Sequence, residues 1–141
     1  MNLPRAVAER ELLAPIEDVW GFLAEPYHLS DWWPNIAAVE PDRRGLAPGA
    51  RWKVRRGLRP GLLRKPAAEE VLVVREVDAP SRVSWQFTGE RLDVELRLEP
   101  DGRHTRATLT ASSTWLLGFR RSLPKHALSR LHSLIQTAAT L

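Results

Sequence analysis

The sequence predicts an α+β fold. One long antiparallel sheet with a single apolar face is covered by a long C-terminal helix, and two short helices follow the first strand. Three observations carry this reading. Apolar and polar residues alternate strictly through several segments of the middle and second half of the chain, as in strands with one buried face. The chain's end instead spaces its apolar residues by three and four, as on one side of a helix. Between the first strand and the alternating region stand two helical segments bounded by prolines.

The elements follow in order. Val7 to Leu13 reads as the first strand, ended by Leu13-Ala-Pro-Ile16. Pro15 sits where a helix can start, Glu17 and Asp18 occupy its first turn, and Ile16, Val19, Trp20 and Leu23 share one face. Pro26 stops that helix; a second short one is expected from Tyr27 to Trp32, closed by Pro34. Ala50, Trp52 and Val54 then alternate with Arg51, Lys53 and Arg55, and Val83, Trp85 and Phe87 with Arg82, Ser84 and Gln86. Leu92, Val94, Leu96 and Leu98 alternate with charged residues throughout. Asp78-Ala-Pro-Ser81 and Pro100-Asp-Gly102 are turns. The next strand has a small inner face of Thr105, Ala107, Leu109, Ala111 and Ser113. Ser122 and Pro124 open the last helix, whose stripe is Ala127, Leu128, Leu131, Leu134, Ile135 and Ala138. A one-sided sheet must be covered, and this helix is the predicted element long enough to cover it.

The 141 residues are expected to form one domain, 1–141, able to bury a core without metal or disulfide support. Six of the ten aromatic residues are Trp, side chains suited to a core or to the wall of an apolar pocket. The absence of cysteine excludes disulfides, a thiol nucleophile and Cys-based zinc. The start MNLPRAVAER lacks a signal peptide's apolar region, and no run approaches the roughly 18 apolar residues of a spanning helix. A soluble, cytoplasmic protein is expected. Nine basic and no acidic residues lie between Arg43 and Lys65, a patch able to meet an anionic surface.

The order of pieces resembles a known family. A strand ending in Ala14-Pro15, a helix with Val19-Trp20, Trp32-Trp33-Pro34, Gly49-Ala-Arg-Trp-Lys-Val54, Val77-Asp-Ala-Pro-Ser-Arg-Val-Ser-Trp85, Gly102 to Ser112 and the terminal helix are similar to polyketide cyclase/dehydrase-like proteins. These belong to the START and birch-pollen-allergen (SRPBCC) superfamily. The resemblance covers nearly the whole chain. It implies the helix-grip fold, with a curved sheet wrapped around the long helix and a cavity between them for an apolar or amphipathic ligand. It implies no catalytic motif, so fold is better specified than function.

Several residues are candidates for that cavity. Side chains of consecutive residues diverge by about 100° on a helix, so one of Trp32 and Trp33 can pack beneath the short helix while the other faces the cavity. Which does which is open. Trp52 and Trp85 on their strands and Leu131 on the helix stripe complete the expected apolar lining. By strand parity Arg56 follows Trp52 and Val54, Arg75 follows Val71 and Val73 in register with Val77, and Arg10 follows Ala8. A buried guanidinium needs a partner, which could be Glu69, Glu76 or an acidic ligand group. Leu58, Leu62 and Leu63 lie in a Gly/Pro-rich segment, Gly57 to Pro66, read as a lid over the cavity mouth. The small inner face beneath the terminal helix predicts a void of a few hundred Å³.

No catalytic residue stands out. The four histidines lack paired metal-ligand spacing, the serines lack a triad's partners, and there is no phosphate-binding glycine motif. Neither metal nor cofactor is expected. The function predicted is binding of a hydrophobic or aromatic, lipid- or polyketide-like small molecule, with cyclase or dehydratase chemistry as the enzymatic form. The alternative is an interaction module whose basic 43–65 surface meets an anionic membrane, an acidic protein or nucleic acid. Nucleic acid is disfavoured, since no aromatic stacking platform alternates with those charges.

Overall fold

The structure, a computed structural model, describes residues 4–57, 69–114 and 119–139. Its elements are β1 (Arg5–Leu12), α1 (Ile16–Ala24), a single 3-10 turn (Pro26–His28), α2 (Leu29–Trp32), β2 (Ile36–Glu40), β3 (Arg51–Arg56), β4 (Glu69–Asp78), β5 (Arg82–Phe87), β6 (Leu92–Asp101), β7 (His104–Ser113) and α3 (Leu123–Ala139). The seven strands form one sheet in the order β1-β7-β6-β5-β4-β3-β2. All neighbours are antiparallel, and β1 closes the edge by pairing with β7 from Arg5↔Ser112 to Leu12↔Thr105. This is the helix-grip architecture: the sheet, the long C-terminal helix and two short helices after the first strand.

Local chemistry explains the helical insert. Pro15 is extended at the head of α1, its carbonyl accepting from the N–H groups of Asp18 and Val19. Glu17 and Asp18 sit in the first turn, where negative charge opposes the helix dipole. Glu25 is extended, as the residue before a proline prefers, and α1 ends there. In the same way Trp33, before Pro34, leaves α2 in an extended conformation after its N–H has bonded to Leu29 O at 2.9 Å. Asn35 then takes a φ of 64°, a conformation asparagine tolerates, and turns the chain into β2.

The inner face of β3 and β5 to β7 follows the alternation expected. Trp52, Val54, Val83, Trp85, Phe87, Leu92, Val94, Leu96, Leu98 and the small set on β7 are all buried. β2 is an element that alternation does not reveal. A bulge between Ile36 and Ala38 puts its two buried residues, Ile36 and Val39, three apart instead of two or four. β4 departs from expectation too. Its bulge lies between Val74 and Glu76, so Val74 faces Trp85 and Glu76 faces Ser84 while Arg75 is the extra residue. Leu72 and Val74 are buried before the bulge; Val77, opposite Val83, is on the inner side after it. The shared parity of Val73, Arg75 and Val77 is therefore broken at the bulge, and Arg75 is exposed.

α3 lies closest to β1 and β7, with Ala127, Leu128, Leu131 and Ile135 buried. Its stripe ends a turn early, because Ala138 is exposed. Opposite it, Ala107, Leu109 and Ala111 are fully buried. Small residues here let the helix approach the sheet closely, as the burial of Ala107, Ala111 and Ala127 indicates. No helix of the described residues is long and apolar enough to cross a membrane.

The close approach is testable at Ala107, which pairs with Arg10 where that strand meets His132 of α3. Ala107→Leu should destabilise the fold by about 1–3 kcal/mol through overpacking. Urea denaturation reads this directly, and an unchanged or raised midpoint would reveal a void after all.

Candidate functional site

An apolar cavity among the described residues sits away from α3. Its rear wall is the inner face of the central strands: Trp52 of β3, Leu72 and Val74 of β4, Val83 and Trp85 of β5, and Leu96 of β6. Its front wall is Leu23 of α1, Leu29 and Trp32 of α2, and Leu46 from the β2–β3 connection. The volume is about 20 Å³, far below the few hundred expected and near the size that holds one water. The small residues of β7 are covered by α3, and aromatic rings fill much of what remains.

Trp33 is the centre of that filling. Its ring is 1% exposed and lies 5.3 Å from Phe87 and 5.8 Å from Trp85, with Trp32 edge-on at 5.6 Å. Trp32 meets Trp85 edge-on at 6.2 Å. The adjacent tryptophans thus divide as their diverging directions allow: Trp32 lines the cavity, and Trp33 packs in the core beside it. Edge-to-face rings attract through their quadrupoles, which gives the cluster a defined geometry as well as buried area.

The indole N–H groups differ in their partners. Trp52 Nε1 donates to Gly45 O at 2.9 Å, which ties the β2–β3 connection to the rear wall. Asp42 steadies the same connection, accepting the backbone N–H of Arg51 at 2.8 Å and of Arg44 at 3.0 Å. Those bonds, led by that from Arg51, hold its carboxyl below the usual range. Leu46 is thereby placed against the cavity. Trp85 Nε1, by contrast, is buried without an acceptor among the described residues, and a buried donor left in that state costs about 1–3 kcal/mol.

Arg56 is buried as its parity predicted, but its partners are not the ones expected. It pairs with Glu70 at 3.1 Å and Glu90 at 2.9 Å, while Glu69 pairs with Arg55 and Glu76 with Arg82. Glu70 precedes Leu72 and Val74 on the same parity, so it faces inward beside Arg56. The guanidinium carbon stands 4.8 Å over the Phe87 ring. Burial pushes the Glu70 carboxyl above its usual range; Arg56 opposes this and Glu90 adds to it.

The other sequence candidates lie elsewhere. Arg75 is on the outer face, donating to Gln86 beside an open polar depression of about 590 Å³; the β4 bulge is the reason. Arg10 is exposed next to His132. Leu131 is fully buried in the helix–sheet packing and does not line the cavity. Leu58, Leu62 and Leu63 lie outside the described residues. His28 stacks on Phe22 and bonds to its carbonyl, and His104 pairs with Glu11. Among the described residues no three His, Cys, Asp or Glu side chains are grouped to hold a metal. Arg51, Lys53 and Arg55 point outward as alternation requires, with Arg55 facing Glu69 at 3.7 Å.

With this geometry in view, residues 4–134 match the family described as polyketide cyclase / dehydrase and lipid transport. Among curated proteins no sequence matches. Protein NE0264 from Nitrosomonas europaea superposes with a TM-score of 0.70 at 19% identity, over 97% of both chains. A START superfamily protein from Mycobacterium smegmatis gives 0.71 at 10% identity, over 95% of this chain and 98% of its own. Ara h 8.0201 gives 0.68 at 10%, over 96% and 99%. At such identities the likeness to solved structures is one of fold.

Glu70 makes the ion cluster testable. Its carboxyl is raised by burial from the usual 4.5, so the folded protein holds that proton at pH values where the unfolded chain has released it. Its contribution is therefore fully present below about 4.5 and is lost as pH rises through the folded value. Glu70→Gln removes this dependence. In denaturation series the variant should gain on the wild type as pH rises above about 4.5 through the folded value; a constant difference would contradict the assignment.

Proposed function

The chain belongs to the polyketide cyclase/dehydrase and lipid transport family, and on that premise we propose that it is a cytoplasmic protein binding a hydrophobic, ring-bearing small molecule between the sheet and its short helices. The observation that carries this is the composition of the cavity wall. All ten described lining residues are Leu, Val or Trp, and three of them are Trp. Flat aromatic walls with few polar groups suit apolar rings.

A ligand needs more room than about 20 Å³, so binding requires a wall to move. The rear wall is held by strand pairing on both sides of β3, β4, β5 and β6. The front wall is different: α1 has nine residues and α2 four, too short to be stable except through packing. Displacement of Leu23, Leu29 and Trp32 with their short helices enlarges the cavity without breaking the sheet. Binding is favoured over catalysis because, among the described residues, the lining brings no acid or base to the bound molecule. The nearby charge, Arg56, is held by two carboxylates behind the Phe87 ring.

Anilinonaphthalene, whose fluorescence rises in apolar surroundings, tests the proposal. The wild-type protein should bind it saturably, and Val83→Phe, which fills the rear wall, should weaken binding by about tenfold or more. The same variant should shift stability by less than about 3 kcal/mol. Absence of binding to the wild type, or equal binding by both proteins, would overturn the assignment of this cavity as the ligand site.

A further inference from the structure

Three cavity-lining residues carry a polar hydrogen, the indoles of Trp32, Trp52 and Trp85. Trp52 has its acceptor in Gly45 O. Trp85 is 5% exposed, and its buried Nε1–H has no acceptor among the described residues. Its aromatic neighbours account for this. The rings of Trp32, Trp33 and Phe87 stand around it at 6.2, 5.8 and 6.5 Å, all steeply inclined. None of these rings carries an oxygen that could accept its hydrogen. A donor in such a place makes a site selective, because a ligand that supplies an acceptor restores a bond that a hydrocarbon of the same shape leaves unmade.

We infer that the ligand is an apolar molecule carrying a neutral carbonyl oxygen, and that Trp85 Nε1–H is the group that recognises it. This rests on the ligand-binding reading above and names the substrate class for the same cavity. A carboxylate is excluded as the acceptor by the wall itself. Among the described residues no lining residue is cationic, and a buried charge without a counter-charge is strongly disfavoured. An alcohol would bring its own donor into a wall of Leu, Val and Trp side chains, where that proton gains no side-chain oxygen to bond among the described residues. A ketone or ester brings the acceptor alone. Trp85 is then the specificity-determining residue of the cavity, and Trp32 and Trp52 are its apolar walls.

Acetophenone and α-methylstyrene have nearly the same shape and differ in C=O against C=CH₂, so they isolate this contact. Dissociation constants corrected for water-to-hydrocarbon transfer should favour acetophenone by about three- to tenfold, the worth of one neutral hydrogen bond. Trp85→Phe should abolish that preference by weakening the ketone alone. In the wild-type protein the Trp85 indole N–H resonance should move downfield with acetophenone and hold its position with α-methylstyrene. That measurement decides the question even if the variant does not fold, since the resonance is assignable from its contacts with Trp33 and Phe87. Equal affinity for both probes, without the downfield shift, overturns the inference while leaving ligand binding intact. A preference that survives in Trp85→Phe overturns it as well, by assigning the carbonyl to another donor. Failure of both probes to bind removes the ligand reading and this inference with it.

Discussion

The packing of Trp33 against Trp85 and Phe87 is the contact around which the rest of the inner face is arranged. It originates in Pro34. The residue before a proline is pushed out of helical conformation, so Trp33 is extended while Trp32 is still helical. The two side chains therefore leave the backbone in different directions, one into the core and one onto the cavity. Burying a tryptophan removes about 150–250 Å² from water, an upper estimate of roughly 4–6 kcal/mol at 25 cal/mol/Å². A four-residue helix has no stability of its own. α2 exists because Trp32 and the following Trp33 are seated against the sheet, and the 3-10 turn and the end of α1 are carried with it.

The sheet's apolar face is consequently covered in two ways. Over β1 and β7 the cover is α3, brought close by Ala107, Ala111 and Ala127. Over β3 to β6 the cover is a set of separate side chains from α1, α2 and the β2–β3 connection. A continuous helix on small residues packs densely. Separate side chains from short elements meet less completely, and the cavity lies on that second region. The small residues Ala107, Ala111 and Ala127 are buried where helix meets sheet, while this cavity is lined by the larger Leu, Val and Trp side chains.

The strands whose alternation is unbroken were legible from residue types, including the buried position of Arg56. So were α1, the short helices and α3. The errors trace largely to one strand. Glu69-Glu-Val-Leu-Val-Val-Arg-Glu-Val-Asp78 carries valine on both faces, so apolar pattern alone cannot phase it, and its bulge reverses the phase partway along. Taking Val71, Val73 and Val77 as one face moved Arg75 in and left Glu70 out. The true phase does the opposite, and with it Arg56 acquires its partner. β2 escaped for a related reason, a bulge that spaces Ile36 and Val39 by three. The degree of cavity closure was not legible at all. It depends on helix placement to within an ångström or two, which residue types do not encode.

The buried ion cluster limits what the site can do chemically. Arg56 lies one ring beyond the cavity, separated from Trp85 by Phe87, and its charge is already balanced by Glu70 and Glu90. The two partners are unequal: the Glu70 side chain is 8% exposed and that of Glu90 47%. A buried pair contributes little net stability but is costly to break from one side, so Arg56 and Glu70 hold each other in place and fasten the end of β3 to β4. Glu90 can return to water at small cost. The charge on Arg56 thus serves first to close the end of the aromatic cluster, aided by its position over the Phe87 ring, a contact worth about 0.5–2 kcal/mol. Among the described residues, selectivity in the cavity is then left to shape and to the hydrogen-bonding needs of its own wall.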